Sequence, residues 1–210
     1  MAKGRDNPAS RNEQRDFVMA KTGSYTGAAK WLHWGMALIW IGAWIVGILA
    51  THWRDEFNAH HELTFLHKAL ASTVLFLIVV RIAWRLTHPA PALPGSMSPL
   101  MKRGAVVGHV MLYAVALIGL PLSGWYWSSV ADKPIMVAGL FMLPPLVDPD
   151  QSLYYLAKGI HTYTAWLCGT LVGGHVLVAL KHHFFEKDDV LSGMLPGRSN
   201  CCGKSDPSQG

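Results

Sequence analysis

Four apolar segments dominate this chain of 210 residues, and each is long enough to cross a lipid bilayer. A helix needs about 20 apolar residues to span a hydrocarbon core of ~30 Å. The segments, spans 1 to 4, cover roughly residues 31–51, 63–86, 104–127 and 157–181. A soluble fold would have to bury all four inside a core that a chain of this length cannot enclose. The sequence therefore predicts an all-α membrane protein, a bundle of four transmembrane helices.

The Lys and Arg residues are divided unevenly between the two ends of this bundle, and cytoplasmic loops are usually enriched in both. Segments 1–30, 81–105 and 181–210 contain fourteen of them, whereas the rest of the chain contains four. This predicts that both termini and the loop 87–103 are cytoplasmic, and that the loops 52–62 and 128–156 lie on the opposite side. We call the end that carries both termini the inner end and the opposite end the outer end. The net charge of +5 follows from this orientation and does not indicate nucleic-acid binding.

The segments outside the spans are polar or rich in proline. Residues 1–24 and 198–210 have the composition of disordered cytoplasmic tails, which leaves 25–197 as the four-helix transmembrane domain. The Pro-rich stretch 87–99 cannot continue the second helix. Tryptophans near the span ends, Trp127 among them, fit the aromatic belt at a membrane interface.

Span 4 carries two histidines, His161 and His175, fourteen residues apart. At ~1.5 Å and ~100° per residue, they are ~21 Å apart along the helix and only ~40° short of four full turns. Both imidazoles therefore face the same side of the helix, His161 near the outer end and His175 toward the inner end. Two ligands so far apart cannot share one metal ion, so the spacing indicates two separate sites.

Each of these sites needs a partner from another helix. His33 begins span 1 at the inner end, and His67 begins span 2 at the outer end. The topology therefore pairs His33 with His175 (the inner pair) and His67 with His161 (the outer pair). A single histidine in a membrane helix is as often a packing residue or an interfacial anchor as a functional one. The joint placement of four favours two bis-imidazole b-type haems inside the bundle, because neutral imidazole suits iron and no carboxylate or thiolate ligand lies nearby.

Five stretches of the sequence form a recognisable set: AKWLHWGMAL, FLHKALASTVLFLIVVRIAWRLTHPAP, GHVMLYAVALIGLPLSGW, LAKGIHTYTAW and GGHVLVALKHHFFEKDDVLSGMLP. Together they resemble the bacterial cytochrome b561 family, in the branch that contains superoxide oxidase. The resemblance covers about residues 24–197 and keeps the four histidine motifs in order. It implies that His33, His67, His161 and His175 are the axial ligands of two b haems in a bacterial inner-membrane protein. It also implies electron transfer from superoxide at the outer surface to ubiquinone.

Other polar residues allow two interpretations each. Arg81 and Arg85 lie four apart near the inner end of span 2, where they could pair with haem propionates or extend to lipid headgroups. His109 and His182 could contact quinone or deliver protons, or they could anchor the helices at the interface. Lys158, three residues before His161, could attract superoxide to the outer site, although it could also be an ordinary solvated lysine.

Two functions remain open at this stage. The chain is either a superoxide:ubiquinone oxidoreductase or, like related bundles, the cytochrome b subunit of a periplasmic hydrogenase or formate dehydrogenase. Short outer connections favour the enzyme, because they leave little surface for a docked electron donor. The outer segments carry six acidic against four basic residues, which is the wrong net sign for attracting an anion.

Overall fold

The described part of the chain is mostly helical. A computed structural model describes residues 24–95 and 97–197, and four of its helices are long and apolar enough to cross a membrane. They are Gly27–His52 (span 1), Glu62–Thr87 (span 2), Pro99–Val130 (span 3) and Gln151–Glu186 (span 4). The predicted multi-pass helical membrane protein is confirmed. Each helix extends beyond the predicted apolar segment, because capping and interfacial residues continue the helical hydrogen bonding. The predicted tails fall outside the described residues, apart from Ser24.

Local sequence explains where the spans begin. The hydroxyl of Thr26 accepts a hydrogen bond from the backbone N–H of Ala29, and so caps span 1. Ser98 caps span 3 in the same way by accepting from the N–H of Met101. Pro99 follows at the first helical position, where its missing N–H costs nothing.

Span 3 changes its helical pitch in the middle of the membrane. It consists of Pro99–Met111 (α-helix), Leu112–Gly119 (π-helix) and Leu120–Val130 (α-helix). In a π-helix, the carbonyl of Ala116 would accept from residue 121, but Pro121 has no N–H to donate. The buried indole of Trp40 on span 1 donates to this carbonyl instead, at 2.9 Å. The proline therefore creates a free acceptor that joins two spans.

All four spans contribute to a buried core between the two ends. It consists of Met36, Trp40, Val74, Ile78, Ala116, Leu120 and Cys168. Trp44 stacks on Trp40 with ring centroids 6.4 Å apart and donates to the carbonyl of Ala165 on span 4 at 2.9 Å. Gly169 allows this approach, because a Cβ there would lie 2.7 Å from the Trp44 ring. The middle of the bundle is thus closely packed around aromatic side chains.

A small hairpin at the outer end departs from the all-α prediction. Its strands, Ile135–Val137 and Phe141–Leu143, pair antiparallel with Ile135 opposite Leu143. The hairpin packs against span 2, where the rings of Phe141 and Phe76 lie 5.7 Å apart. Strands of three residues are too short to give a periodic signal in the sequence, and for this reason the hairpin was not predicted.

Candidate haem sites

The structure brings the four membrane histidines together as two pairs at opposite ends of the bundle. The ring centroids of His67 and His161 lie 6.1 Å apart, and those of His33 and His175 lie 6.3 Å apart. A metal–imidazole bond is about 2 Å long and the ring centre lies about 1 Å beyond the nitrogen, so two imidazoles on opposite sides of one metal have centroids about 6 Å apart. Both pairs therefore have the spacing that bis-imidazole haem ligation requires.

Two residues of span 1 fix the orientation of the His67 ring. The Nδ1–H of His67 donates to the carbonyl oxygen of Ala43 at 2.7 Å. One turn further along the same helix is Gly47, where a Cβ would lie 2.8 Å from Nδ1 of His67. Because a hydrogen bond on one imidazole nitrogen fixes the tautomer, Nε2 of His67 is left as the nitrogen available to a metal.

Span 3 holds the ring of His161 in a corresponding way. The hydroxyl of Ser123 donates to the carbonyl of Leu120 at 2.7 Å, so its oxygen is free to accept from Nδ1–H of His161 at 3.0 Å. The next residue is Gly124, where a Cβ would lie 2.9 Å from Cε1 of His161. Each imidazole of the outer pair is therefore oriented by one hydrogen bond and one glycine of a neighbouring span.

The inner pair has different neighbours. Arg81 donates through Nε to the hydroxyl of Tyr113 at 2.7 Å, and its Nη2 lies 3.3 Å from Nδ1 of His33. Arginine has no acceptor atom, so in this contact Nδ1 of His33 is the acceptor. A histidine that binds metal through Nε2 normally donates through Nδ1–H. The ring spacing of the inner pair thus fits a haem, whereas this hydrogen bond has to break before His33 binds one through Nε2.

The other sequence-predicted residues lie in different surroundings. His109 is close to the inner pair, with its ring 5.4 Å from that of His175 and Nδ1 2.7 Å from the carbonyl of Ala105. Arg85 is exposed at the inner end. Lys158 is exposed on span 4, one helical turn from His161.

His182 is buried among acidic side chains. Its Nδ1 lies 2.6 Å from a carboxylate oxygen of Glu186 and 2.6 Å from one of Asp188. The ligand atoms of these three residues all lie within 4.8 Å of one another, which is close enough for one metal ion to contact all three. These contacts give His182 a structural role in closing the last turn of span 4. Its predicted contact with quinone or propionate remains a prediction.

The electrostatics of the outer end include one firmly ionised acid. Asp150 accepts hydrogen bonds from the backbone N–H of Ser152 at 2.9 Å and from the hydroxyl of Ser152 at 2.6 Å. These bonds hold the pKa of Asp150 below its usual value. A fixed negative charge therefore precedes span 4, two turns before Lys158.

Sequence reasoning missed the residues that hold the outer pair. Gly47 follows His33 by fourteen residues, the same interval that separates His161 from His175, so it lies on the same face of span 1. That periodicity could have identified Gly47. Gly124 and Ser123 carry no such signal, because their role depends on how span 3 rotates after its π-helix. Trp127 was predicted as a belt residue, and its ring lies 5.7 Å from that of His161.

Comparison with known proteins agrees with this architecture. Residues 24–197 match the model of the prokaryotic cytochrome b561 family. The chain is 33% identical to cytochrome b561 homolog 2 of Escherichia coli (strain K12), over 80% of this chain and 88% of that protein. It is 28% identical to the probable superoxide oxidase CybB of Yersinia pestis, over 79% of this chain and 92% of that protein. The resemblance seen in the sequence is confirmed: the chain belongs to the prokaryotic cytochrome b561 family, whose members bind b-type haem and transfer electrons in membranes.

Proposed function

We propose that this chain is a di-haem membrane oxidoreductase that takes electrons from superoxide at the outer end and reduces ubiquinone. The proposal rests on two histidine pairs at opposite ends of the bundle. The ring centroids lie 6.1 Å apart within the outer pair and 6.3 Å apart within the inner pair. The similarity to a protein named probable superoxide oxidase supports superoxide as the donor.

Four histidines of the chain would hold two b haems, the inner pair one and the outer pair the other. Haem supplies reversible one-electron chemistry at its iron. The protein contributes position and orientation. Ala43 and Ser123 fix the tautomers of the outer histidines, and Gly47 and Gly124 let neighbouring helices approach these rings closely.

The proposed reaction balances over two turnovers at the outer end. Two superoxide ions each lose one electron and leave as O₂, and ubiquinone takes up two electrons and two protons to become ubiquinol. We assign the proton-coupled step to the inner end, because exposed His109 lies beside His175 there and could pass a proton between water and the quinone. In the proposed orientation, the inner end and both termini face the cytoplasm.

Lys158 is the residue of the chain that we propose attracts superoxide. Its ammonium group is exposed and lies one turn from His161, so it places positive charge where an anion would approach the outer pair. Asp150 opposes this effect, because its carboxylate remains ionised at the same end of span 4.

The alternative is an electron-transfer subunit that takes electrons from a periplasmic dehydrogenase. The exposed apolar hairpin favours this second function, because Leu140 at its tip is 82% exposed and Met142 is 58% exposed. A docked electron donor would cover these side chains.

The first test is a reduced-minus-oxidised visible spectrum of the purified protein, together with a haem assay. Two low-spin b haems per chain are expected. A folded protein that binds no haem under haem-replete expression would contradict the proposal.

The second test separates the two functions. Superoxide should reduce the purified protein rapidly with no second polypeptide present, and added ubiquinone should reoxidise it. The rate should fall as salt rises, since charge is screened over ~10 Å at 0.1 M ionic strength. Lys158→Glu should slow the reaction further, whereas Arg103→Glu, the same charge change on an exposed residue of the inner end, should not. Slow reduction that responds neither to salt nor to Lys158 would favour the subunit.

A further inference from the structure

The indole N–H of Trp127 is buried without a hydrogen-bond acceptor. Within residues 24–95 and 97–197, it is the only buried side-chain nitrogen or oxygen in this condition. Other indoles have acceptors: those of Trp34, Trp40, Trp44 and Trp125 donate to backbone carbonyls, each at 2.9 Å. Buried donors are normally paired because an unpaired one loses its bond to water on folding. An unpaired donor in this position therefore indicates a ligand that completes the site.

Trp127 belongs to the outer site. Its ring lies 5.7 Å from that of His161 and 6.0 Å from that of Tyr154, both on span 4. Tyr154, Lys158 and His161 follow one another at intervals of four and three residues, so they share one face of the helix. The ring of Trp127 packs on this face of span 4, between Tyr154 and His161.

We propose that Trp127 donates a hydrogen bond from Nε1–H to an anionic oxygen bound at the outer site. The indole is a donor only, so its partner has to be an acceptor. An ionised acceptor is favoured because Lys158 lies on the same face and because charged acceptors form the stronger hydrogen bonds. Two sources share this chemistry, a carboxylate of the haem bound between His67 and His161, and superoxide itself. This inference rests on the proposed function.

The test compares Trp127→Phe with Trp125→Phe in the haem-loaded protein. Trp127→Phe keeps an aromatic ring and removes the donor. Trp125→Phe is the matched control two residues away, where the removed indole N–H donates to the carbonyl of Pro144. Three quantities are measured: the haem retained at each site, the midpoint potential of each haem, and the rate of reduction by superoxide. If Trp127→Phe perturbs packing, replacement of Trp127 by 3-benzothienylalanine removes the N–H from a ring of the same shape.

The two sources give different results. If the acceptor is a haem carboxylate, loss of the donor should speed release of the outer haem on the order of tenfold and shift its potential, with the inner haem unchanged. If the acceptor is superoxide, haem content and both potentials should be retained while the superoxide rate falls on the order of tenfold.

Two further results would overturn the inference. Haem-loaded Trp127 variants that match the wild type and Trp125→Phe in all three quantities would refute it and leave the proposed function intact. A wild-type protein that binds no haem would refute both.

Discussion

Nδ1 of His67 and the carbonyl oxygen of Ala43 lie 2.7 Å apart, although they belong to different spans. This hydrogen bond turns the imidazole so that its other nitrogen is available on the side of His161. It also ties the position of the ring to the path of span 1. A change in span 1 that touches neither histidine should therefore disturb the outer site.

Gly47→Ala is the substitution in span 1 that should disturb the outer site most directly. The new Cβ would lie 2.8 Å from Nδ1 of His67, closer than such contacts occur, so the ring has to move. We expect loss of the outer haem and retention of the inner one, measured by haem stoichiometry and difference spectra. Gly42→Ala on the same helix is the control, because a Cβ there meets nothing within 4 Å. Equal haem loss in both variants would show that general packing of span 1 is responsible.

The two histidine pairs should act independently. His67→Ala or His161→Ala should remove the outer haem and spare the inner one, because the two sites are ~21 Å apart along span 4 and share no ligand. His33→Ala or His175→Ala should do the reverse. Difference spectra and potentiometric titration distinguish the two haems. A stably folded single variant that loses both haems would argue against the pairing.

The spans could be predicted from the length of the apolar segments, and the two pairs from the position of each histidine along its span. Span length and basic loops place each histidine at a depth, and the fourteen-residue interval puts His161 and His175 on one face. The structure adds details that no periodicity contains. The hydrogen bond between Ser123 and His161 depends on how span 3 is rotated after the π-helix. The carbonyl of Ala116 lacks a backbone donor only because Pro121 follows the π-helix. The contact between Arg81 and His33 could not be predicted either, because it depends on how the two side chains are oriented in the folded bundle.

Asp188→Asn should loosen the inner end without affecting the outer site. Asp188 is bonded to buried His182, and the following turn contacts span 1, where the indole of Trp34 donates to the carbonyl of Met194 at 2.9 Å. Loss of the Asp188 charge should lower the free energy of unfolding by about 1–2 kcal/mol. The decrease is no larger because Glu186 still contacts His182. We expect faster tryptic cleavage at exposed Lys187 and a lower melting temperature. Asp148→Asn in an exposed outer loop should change neither.

The orientation of the bundle can be tested with reporter fusions. Fusions at residue 95 and at the C-terminus should be cytoplasmic, and one at residue 145 should be periplasmic, because basic residues concentrate at the inner end. A periplasmic C-terminus would exchange the proposed donor and quinone sides.

Arg81 should tune the potential of the inner haem. Nε of Arg81 donates to the hydroxyl of Tyr113 at 2.7 Å, and this bond keeps the guanidinium beside His33 even when its contact with Nδ1 is lost on haem binding. A nearby positive charge disfavours the oxidised iron, which is the more positive state, so Arg81→Gln should lower the inner midpoint potential. With an effective dielectric constant of ~20, a unit charge at ~7 Å contributes ~2 kcal/mol, which corresponds to on the order of 100 mV for one electron.

Two comparisons make this expectation specific. Arg85→Gln, four residues away and exposed, should shift the inner potential much less, because water screens its charge. Arg81→Lys should retain most of the potential, since the charge is kept, although lysine cannot reproduce the planar donor geometry of the guanidinium. Redox titration resolves the two haems and provides the measurement. An inner potential that Arg81→Gln leaves unchanged, or an outer potential that moves by as much, would contradict a local charge effect and leave Arg81 with a packing role beside Tyr113.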